Sequence, residues 1–520
     1  MGLRTPEEYL ASLRRQSPEV WVRGERIENH ADHPLFAATR TSWGTWICRA
    51  AHMPELRDTM VASPDLNGEE CHVFWHMATS PEDLLQNLRA AQLLAERSPL
   101  SGYASIGRDE LQALLIVSHD VDRDLGTSYH ERVVEYVKRF QREQLMTAAA
   151  VTDVKGDRAR RPADQDDPDM YLRVVERSAD GIVVRGAKAH TSGSVICNEI
   201  VVIPQRAMRE EDADYAVAFA IPIDTPGLRL VCRGYSSEDL DEFEAPLSCH
   251  DDLMESFTIF DDVFVPWERV FLCGEWQYAG DVANTFANVN RQGYLGTDSG
   301  KLRLFIGTAQ LVAEANGVAG ASHVREKIVE MIKLERAIYA LGVTGSLESH
   351  RREPGFQVPD PVLTNAGKHL TMEAHSIAAR NLLEIAGGSA MTAPYVEDVM
   401  HPELRPFIEK YYRGADPGGA IDRLRVMKLV HDLAASEYAG YWYTEIIHGS
   451  GSPAAEKVQM YREHDLEACV ELARLALTGR AAASLRAVTG CSARRSSGRL
   501  PGRLPARTCD YCDPDSFSFR

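Results

Sequence analysis

The period of the hydrophobic residues changes twice along this 520-residue chain, which is long enough for two or three packed units and points to units of different kinds. From about 80 to 150, LLQNLRAAQLLAER and YHERVVEYVKRFQREQLMTAAA carry apolar residues three and four apart, the spacing of a one-sided helix. Between about 168 and 270 the period shortens. MYLRVVER, GIVVRGAKAH, EIVVIPQ, YAVAFAIP, LRLVCRG and SFTIFDDVFVP read as strands separated by Gly, Pro and Asp turns. From about 295 onward four long helical patterns return, beginning SHVREKIV, AGKHLTME, AIDRLRVM and AAEKVQMY, and helices of that length favour a bundle. The expected class is α+β: an N-terminal helical domain (1–150), a middle β-barrel-like domain (151–280) and a C-terminal helical bundle (281–479).

A net charge of -19 argues against nucleic-acid or anionic-membrane surfaces, which select basic faces, and leaves small-molecule chemistry. The N-terminus lacks a signal-peptide core. Thr5-Pro6-Glu7-Glu8 reads instead as a capped helix start, and no apolar run reaches membrane-spanning length, so a cytoplasmic protein is expected. The ten cysteines are mostly isolated, as reduced core residues are, and Cys509-x-x-Cys512 has no second pair to complete a metal site. Residues 480–520, rich in Arg, Ser, Gly and Pro without an apolar period, read as a disordered tail.

The segment Gly181 to Gly193, GIVVRGAKAHTSG, is a strand pattern that ends in two hydroxyls and a glycine. Such an ending suits a polar ligand edge as well as an ordinary turn, because hydroxyls and free backbone N–H groups grip without adding charge. No Rossmann or P-loop glycine pattern is present.

Together with MTAAAVTDVKGDR (146–158), ESFTIFDDVFVPWERVFLCGE (255–275), NRQGY (290–294), EIAGGSAM (384–391) and TEIIHGSGSP (444–453), this segment resembles the acyl-CoA dehydrogenase-like flavoproteins. More narrowly, it is similar to the family uniting 4-hydroxybutyryl-CoA dehydratase/vinylacetyl-CoA isomerase with the 4-hydroxyphenylacetate 3-hydroxylases, and closer to the dehydratase branch. The resemblance implies FAD between the β domain and the bundle, touched by Thr152, Lys155, Thr191 and Ser192. Gly387 and Gly388, which also read as a helix C-cap, match the region that holds the dinucleotide end across a subunit interface.

Glu255 and Glu445 match carboxylates of the dehydratase active site, and Tyr294 matches its tyrosine. A carboxylate in apolar surroundings such as YWYTEIIHG is desolvated and becomes a usable base near neutrality, although a structural ion pair fits each glutamate equally. The dehydratase also holds a [4Fe–4S] cluster through three cysteines and a histidine. At those positions this chain has Ser101, Ser105, Asn290 and Thr297, so the resemblance implies no iron–sulfur cluster here. The hydroxylases' phenol-holding Arg and Tyr and activating His fall at Ser101, Ser105 and Ala149, so that set is missing too. Arg97 and Tyr103 offer a displaced pair, and His190 and His448 alternative imidazoles.

The expected function is a flavin-dependent monooxygenase that uses reduced FAD, from a separate flavin reductase, and O2 on an aromatic or related small substrate. The alternatives are a cluster-free FAD-dependent dehydratase, isomerase or dehydrogenase of acyl-CoA with a Glu base, and a non-catalytic flavoprotein. A homotetramer or homodimer is what the family implies.

Overall fold

In the computed structural model, residues 2–99, 105–235, 241–415 and 418–477 are described. Two units are distinguished, Met1–Glu463 and His464–Arg520. Of the second, the helix Leu466–Leu477 is described; the expected tail (480–520) lies outside the described residues, as do Ser101, Tyr103, Cys509 and Cys512.

The first helix, Pro6–Leu13, starts as its sequence requires: the Thr5 hydroxyl accepts from the Glu8 N–H, and the Glu8 carboxylate reaches back to the Thr5 N–H. Helix Tyr129–Glu143 buries Tyr129, Val133, Tyr136, Val137 and Phe140, one stripe at helical spacing. It stops at Gln144, whose φ of 45° is left-handed. The following Thr147–Ala150, which the helical pattern had absorbed, is a strand paired in parallel with Glu199–Val202. All four of its side chains are small and buried, so apolar content alone did not distinguish strand from helix there.

Two sheets form the middle of the chain. The larger runs, in spatial order, Glu25–Ile27, Glu19–Val22, Leu228–Arg233, Glu255–Pro266, Gly181–Lys188 and Arg173–Arg177. The smaller runs Val270–Cys273, Val217–Pro222, Glu199–Val202 and Thr147–Ala150. Strands from the first 150 residues therefore belong to both sheets. The pairing that matters for the site is antiparallel: Thr258 lies opposite Lys188 and Ile259 opposite Ala187, which brings the start of one strand, Glu255, beside the end of the other, Thr191–Gly193.

The bundle is organised around one 40-residue helix, Trp276–Ala315, hereafter the central helix. Every residue from Asn288 to Leu302 is buried, although eleven of the fifteen are polar, charged or glycine. Helix Pro81–Ala95 approaches it closely at Gly296 and Gly300, where an added Cβ would lie 2.2 Å from the Leu88 carbonyl and 2.6 Å from that of Gln92. Helices Ser322–Leu347 and Pro361–Ala386 complete its surroundings. The continuous helical pattern from 420 to 447 divides into Gly419–Ala434 and Glu437–His448, because the Ser436 hydroxyl caps the Ala439 N–H and starts a new helix. None of the helices among the described residues is long and apolar enough to cross a membrane.

Candidate active site

The turn after strand Gly181–Lys188 is fixed by packing and by hydroxyl bonds. Gly193 has φ +67°, and a Cβ there would fall 1.8 Å from the Trp43 ring, so neither the backbone nor the space admits a side chain. Trp43 sits in a six-residue π-helical stretch, Arg40–Thr45. Thr191 is fully buried. Its hydroxyl accepts from Thr258 Oγ1 at 2.9 Å, and a chain of hydroxyls continues through Ser256 to Ser194 at 2.8 and 2.7 Å.

Ser192 points the other way and donates to Glu255 Oε1 at 2.7 Å. Tyr441 donates to the same oxygen at 2.8 Å, while the buried Oε2 has no hydrogen-bond partner. Burial pushes the Glu255 carboxyl up to about 7, against the two hydrogen bonds that favour its ionised form, and the Glu445 and Asp252 charges push the same way. A carboxyl poised there can take or give a proton at neutral pH.

A second carboxyl stands one helical turn from Tyr441. Glu445 Oε2 accepts from the Tyr294 hydroxyl at 2.8 Å and lies 3.7 Å from Lys301 Nζ, which is itself 4.9 Å from the centre of the Trp442 ring. Lys368, on helix Pro361–Ala386, lies over the Tyr294 ring at 4.7 Å and donates to the Ile446 carbonyl. Beneath them Asp298 is fully buried, 4.0 Å from Lys301 and 3.8 Å from His375, and desolvation raises it to about 7.

The structure thus brings Glu255, Ser192, Tyr294 and Glu445 into one polar region of the β-domain edge and the bundle. Asn290 and Thr297 share the Tyr294 face of the central helix at helical spacing. Asn290 Nδ2 donates to Asp109 Oδ2 at 2.8 Å, its carbonyl oxygen accepts from Ser450, and Ser105 donates to the same Asp109 oxygen at 3.3 Å. Thr297 Oγ1 is buried without a partner.

Other expected residues lie outside this hydrogen-bonded set. Thr152 accepts from the Ala189 N–H at 2.7 Å, and its neighbour Asp153 pairs with the buried Lys188 at 2.9 Å, which ties this loop to the TSG strand. Lys155 and His190 both take left-handed backbone, φ 80° and 58°, strained conformations for residues with side chains. His190 and His448 are exposed. Arg97 is exposed just past helix Pro81–Ala95. Gly387, the C-cap of helix Pro361–Ala386 at φ +68°, and Gly388 are exposed with open space around them. They lie roughly 28 Å along that helix from Lys368, at 1.5 Å per residue.

Tyr441, Lys301, Asp298, Asp109, Ser450 and Lys368 escaped the sequence reading. Tyr441 was available as the residue four before Glu445. Lys301 and Asp298 were available as helical neighbours of Tyr294 and Thr297, had the segment from 276 been read as a helix.

The models for the N-terminal and C-terminal regions of 4-hydroxyphenylacetate 3-hydroxylase match residues 5–272 and 279–478. The 4-hydroxybutyryl-CoA dehydratase/vinylacetyl-CoA-Δ-isomerase of Clostridium aminobutyricum is 34% identical over 488 residues, covering 91% of this chain and 99% of that protein. Among solved structures, an oxygen-tolerant archaeal 4-hydroxybutyryl-CoA dehydratase from N. maritimus superimposes with a TM-score of 0.87 at 28% identity, over 98% of each chain. The oxygenase component of 4-hydroxyphenylacetate 3-monooxygenase, solved with FAD and 4-hydroxyphenylacetate, does so with a TM-score of 0.83 at 28% identity, over 93% of this chain and all of that one. This chain, with its acyl-CoA dehydrogenase-like fold, therefore belongs to the 4-hydroxyphenylacetate 3-hydroxylase family, in which hydroxylases and 4-hydroxybutyryl-CoA dehydratases share one scaffold.

Proposed function

We propose that the chain is a flavin-dependent monooxygenase of a small aromatic or related substrate, in which Glu255 is the base that activates the substrate. One observation carries the reading: a buried carboxyl, raised to about 7, that keeps one oxygen without a partner beside the TSG turn. Ionised Glu255 takes the proton of a phenol or enol and so makes the substrate electron-rich, while Ser192 and Tyr441 hold the carboxylate in place.

The residues present fit FAD. Ser192 and the strained Lys155 loop offer neutral and cationic contacts to the ring, with Thr152 and Thr191 behind them, and the open glycine pair Gly387–Gly388 admits close approach of the dinucleotide end. Bound reduced FAD supplies the two electrons with which O2 is divided between substrate and water. A separate flavin reductase is the partner this implies. The donor set Ser105, Asn290 and Thr297 is hydroxyl and amide, and Asn290 is engaged on both sides, which does not fit an iron–sulfur cluster. Assembly as a homodimer or homotetramer belongs to the same reading, since Met391, Tyr395, Phe407 and Tyr411 are all exposed in the segment just past Gly388.

The test is to supply photoreduced FAD and 18O2 to the purified protein with 4-hydroxyphenylacetate and related phenols. Incorporation of one labelled oxygen into product is expected, and its absence from every substrate would end this reading.

A second reading, cluster-free acid–base chemistry on an acyl thioester, is favoured by the Glu445–Tyr294 pair standing near Glu255. It predicts deuterium entering the α-carbon of 4-hydroxybutyryl-CoA in heavy water. Exchange that persists in Glu445→Gln would remove Glu445 from that role. A chain that neither binds flavin nor turns over either substrate would leave the non-catalytic alternative.

A further inference from the structure

The phenol that donates to Glu255 is itself covered by a second phenol. The Tyr235 ring lies flat on that of Tyr441, with centroids 4.2 Å apart and planes 16° from parallel. Tyr235 is half-buried and follows strand Leu228–Arg233, whereas Tyr441 belongs to helix Glu437–His448.

The chain around Tyr235 is held from the sheet side. Arg233 closes its strand directly opposite Glu255 in the antiparallel ladder. The next residue, Gly234, runs so close to the loop before Glu255 that an added Cβ would lie 2.6 Å from Asp252 Oδ2 and 2.7 Å from Met254 Cε. The Tyr235 N–H then donates to Asp252 Oδ1 at 3.0 Å. Arg233 places its guanidinium 5.3 Å from the centre of the Tyr235 ring and pairs with Glu437 at 2.8 Å. Arg233 and Tyr235 therefore grip the helix at two points one turn apart, Glu437 and Tyr441. The ion pair is exposed on both sides and adds little by itself, which leaves the ring contact on buried Tyr441 as the firmer of the two.

A stack of this kind constrains a phenol in one particular way. Contact over a whole ring face resists the side-chain rotations that would lift one ring off the other, while the edge that carries the hydroxyl still bonds in its own plane. We propose that Tyr235 is a positioning residue: its ring holds the Tyr441 phenol in the orientation from which the hydroxyl donates to Glu255 at 2.8 Å. It rests on the reading of Glu255 as the proton carrier and assigns the side chain that keeps that carrier in its working state.

The other groups that face Glu255 are Ser192 from the turn, Glu445 from the helix, Asp252 from the loop before the strand, and Cys232 and Arg233 from the neighbouring strand. Burial pushes the Cys232 thiol up to about 12, so it is neutral, and Arg233 is engaged by Glu437. Asp252 meets Tyr235 through the backbone N–H, which every substitution used below keeps. Burial also holds the Tyr235 phenol above its ordinary range, so its removal takes no charge away near neutrality. What a change of the Tyr235 side chain does to Glu255 is thus transmitted by Tyr441.

The experiment follows the Glu255 carboxyl directly, by infrared difference spectra against pH, its protonated band being identified by loss in Glu255→Gln. Wild type is compared with Tyr235→Phe, Tyr235→Leu, Tyr441→Phe and the double variant of Tyr235→Leu with Tyr441→Phe. Tyr235→Leu is expected to move the Glu255 titration to higher pH by about 0.5 unit or more, roughly threefold in proton affinity, because the ionised form loses a donor. Tyr235→Phe, which keeps the stack, is expected to titrate with wild type, and the double variant with Tyr441→Phe. A Tyr235→Leu titration that is unmoved, or that moves to lower pH as it would for a residue that only excludes water, overturns the proposal. So does a Tyr235→Phe titration that follows Tyr235→Leu, which puts the effect in the hydroxyl. A double variant displaced further than Tyr441→Phe also overturns it, since Tyr235 then acts on Glu255 without Tyr441. None of these results touches the monooxygenase reading, which falls instead if the titration moves as expected while no labelled oxygen enters any substrate. Should Tyr235→Leu not fold, Tyr235→Met is read in its place.

Discussion

Tyr441 donates its hydroxyl to Glu255 across the boundary between the bundle and the sheet, at 2.8 Å, while Glu445, one turn later on the same helix, accepts from Tyr294 at the same distance. Two carboxyl–phenol pairs are thus held by a single 12-residue helix, Glu437–His448. The pairs are electrostatically linked, since the Glu445 charge helps to raise Glu255.

The proton carrier assigned to Glu255 has a defined pH signature. A base acts when ionised, so the rate should rise as pH increases through about 7 and then level. Glu255→Gln should lower turnover by about 10²–10⁴-fold and abolish that rise, with FAD affinity within a few-fold of wild type; pH–rate profiles of both proteins check this.

Removing one supporting hydrogen bond should move the same profile. Tyr441→Phe deletes a donor that favours ionised Glu255, so the rising limb should shift to higher pH, and the rate below neutrality should fall more than the rate above it. An unmoved limb would show that Glu255 is not the titrating group.

Stability should respond in the opposite sense. The folded-state carboxyls of Glu255 and Asp298 are raised to about 7 from ordinary values of 4.5 and 3.8, so the fold holds protons that the unfolded chain has released. Their contribution is complete below the unfolded values and is lost as pH rises through about 7. Urea unfolding of Asp298→Asn should therefore lose part of the decline in stability that wild type shows between pH 5 and 8.

Gly193→Ala should destabilise by about 2–4 kcal/mol, adding left-handed strain to overpacking against Trp43. Trp43→Leu in the same chain should recover part of that loss, because the clash is with the ring. Denaturant midpoints of the two single variants and the double variant would measure the coupling.

Lys188→Met should cost about 3–5 kcal/mol by leaving Asp153 buried without its ammonium, and Asp153→Leu in the same chain should restore part of it. The calorimetric melting temperatures of the set decide this.

Much of the architecture was legible in the sequence because most elements have one wet face. The six strand patterns between 168 and 270 all appear, since each alternates or is bounded by turn residues. The central helix was not among the four helical patterns read from the sequence, the first of which begins at Ser322. Its middle is buried on every side, and its interior positions are Asn, Arg, Gln, Thr, Asp and Lys as often as Leu or Val, so no apolar stripe marks it. That same polarity makes it the wall of the site. The candidate residues suggested by resemblance were found near one another where they are polar and buried, as with Glu255, Tyr294 and Glu445. Tyr441, Lys368 and Asp109 were not legible, because their significance lies in contacts 78 to 186 residues away in sequence: 186 for Tyr441 with Glu255, 78 for Lys368 with Ile446 and 181 for Asp109 with Asn290.

The Ser192–Glu255 bond makes occupancy and acidity two readings of one equilibrium. A ligand that takes the Ser192 hydroxyl for itself removes a hydrogen bond from the ionised carboxylate and so favours its protonated form. By reciprocity, protonation of Glu255 frees Ser192 and tightens that ligand. Under the proposed function, loading and proton removal at this turn are therefore linked: a ligand on Ser192 would bind most tightly on the acidic side of neutrality, and Glu255 would be ready as a base on the alkaline side.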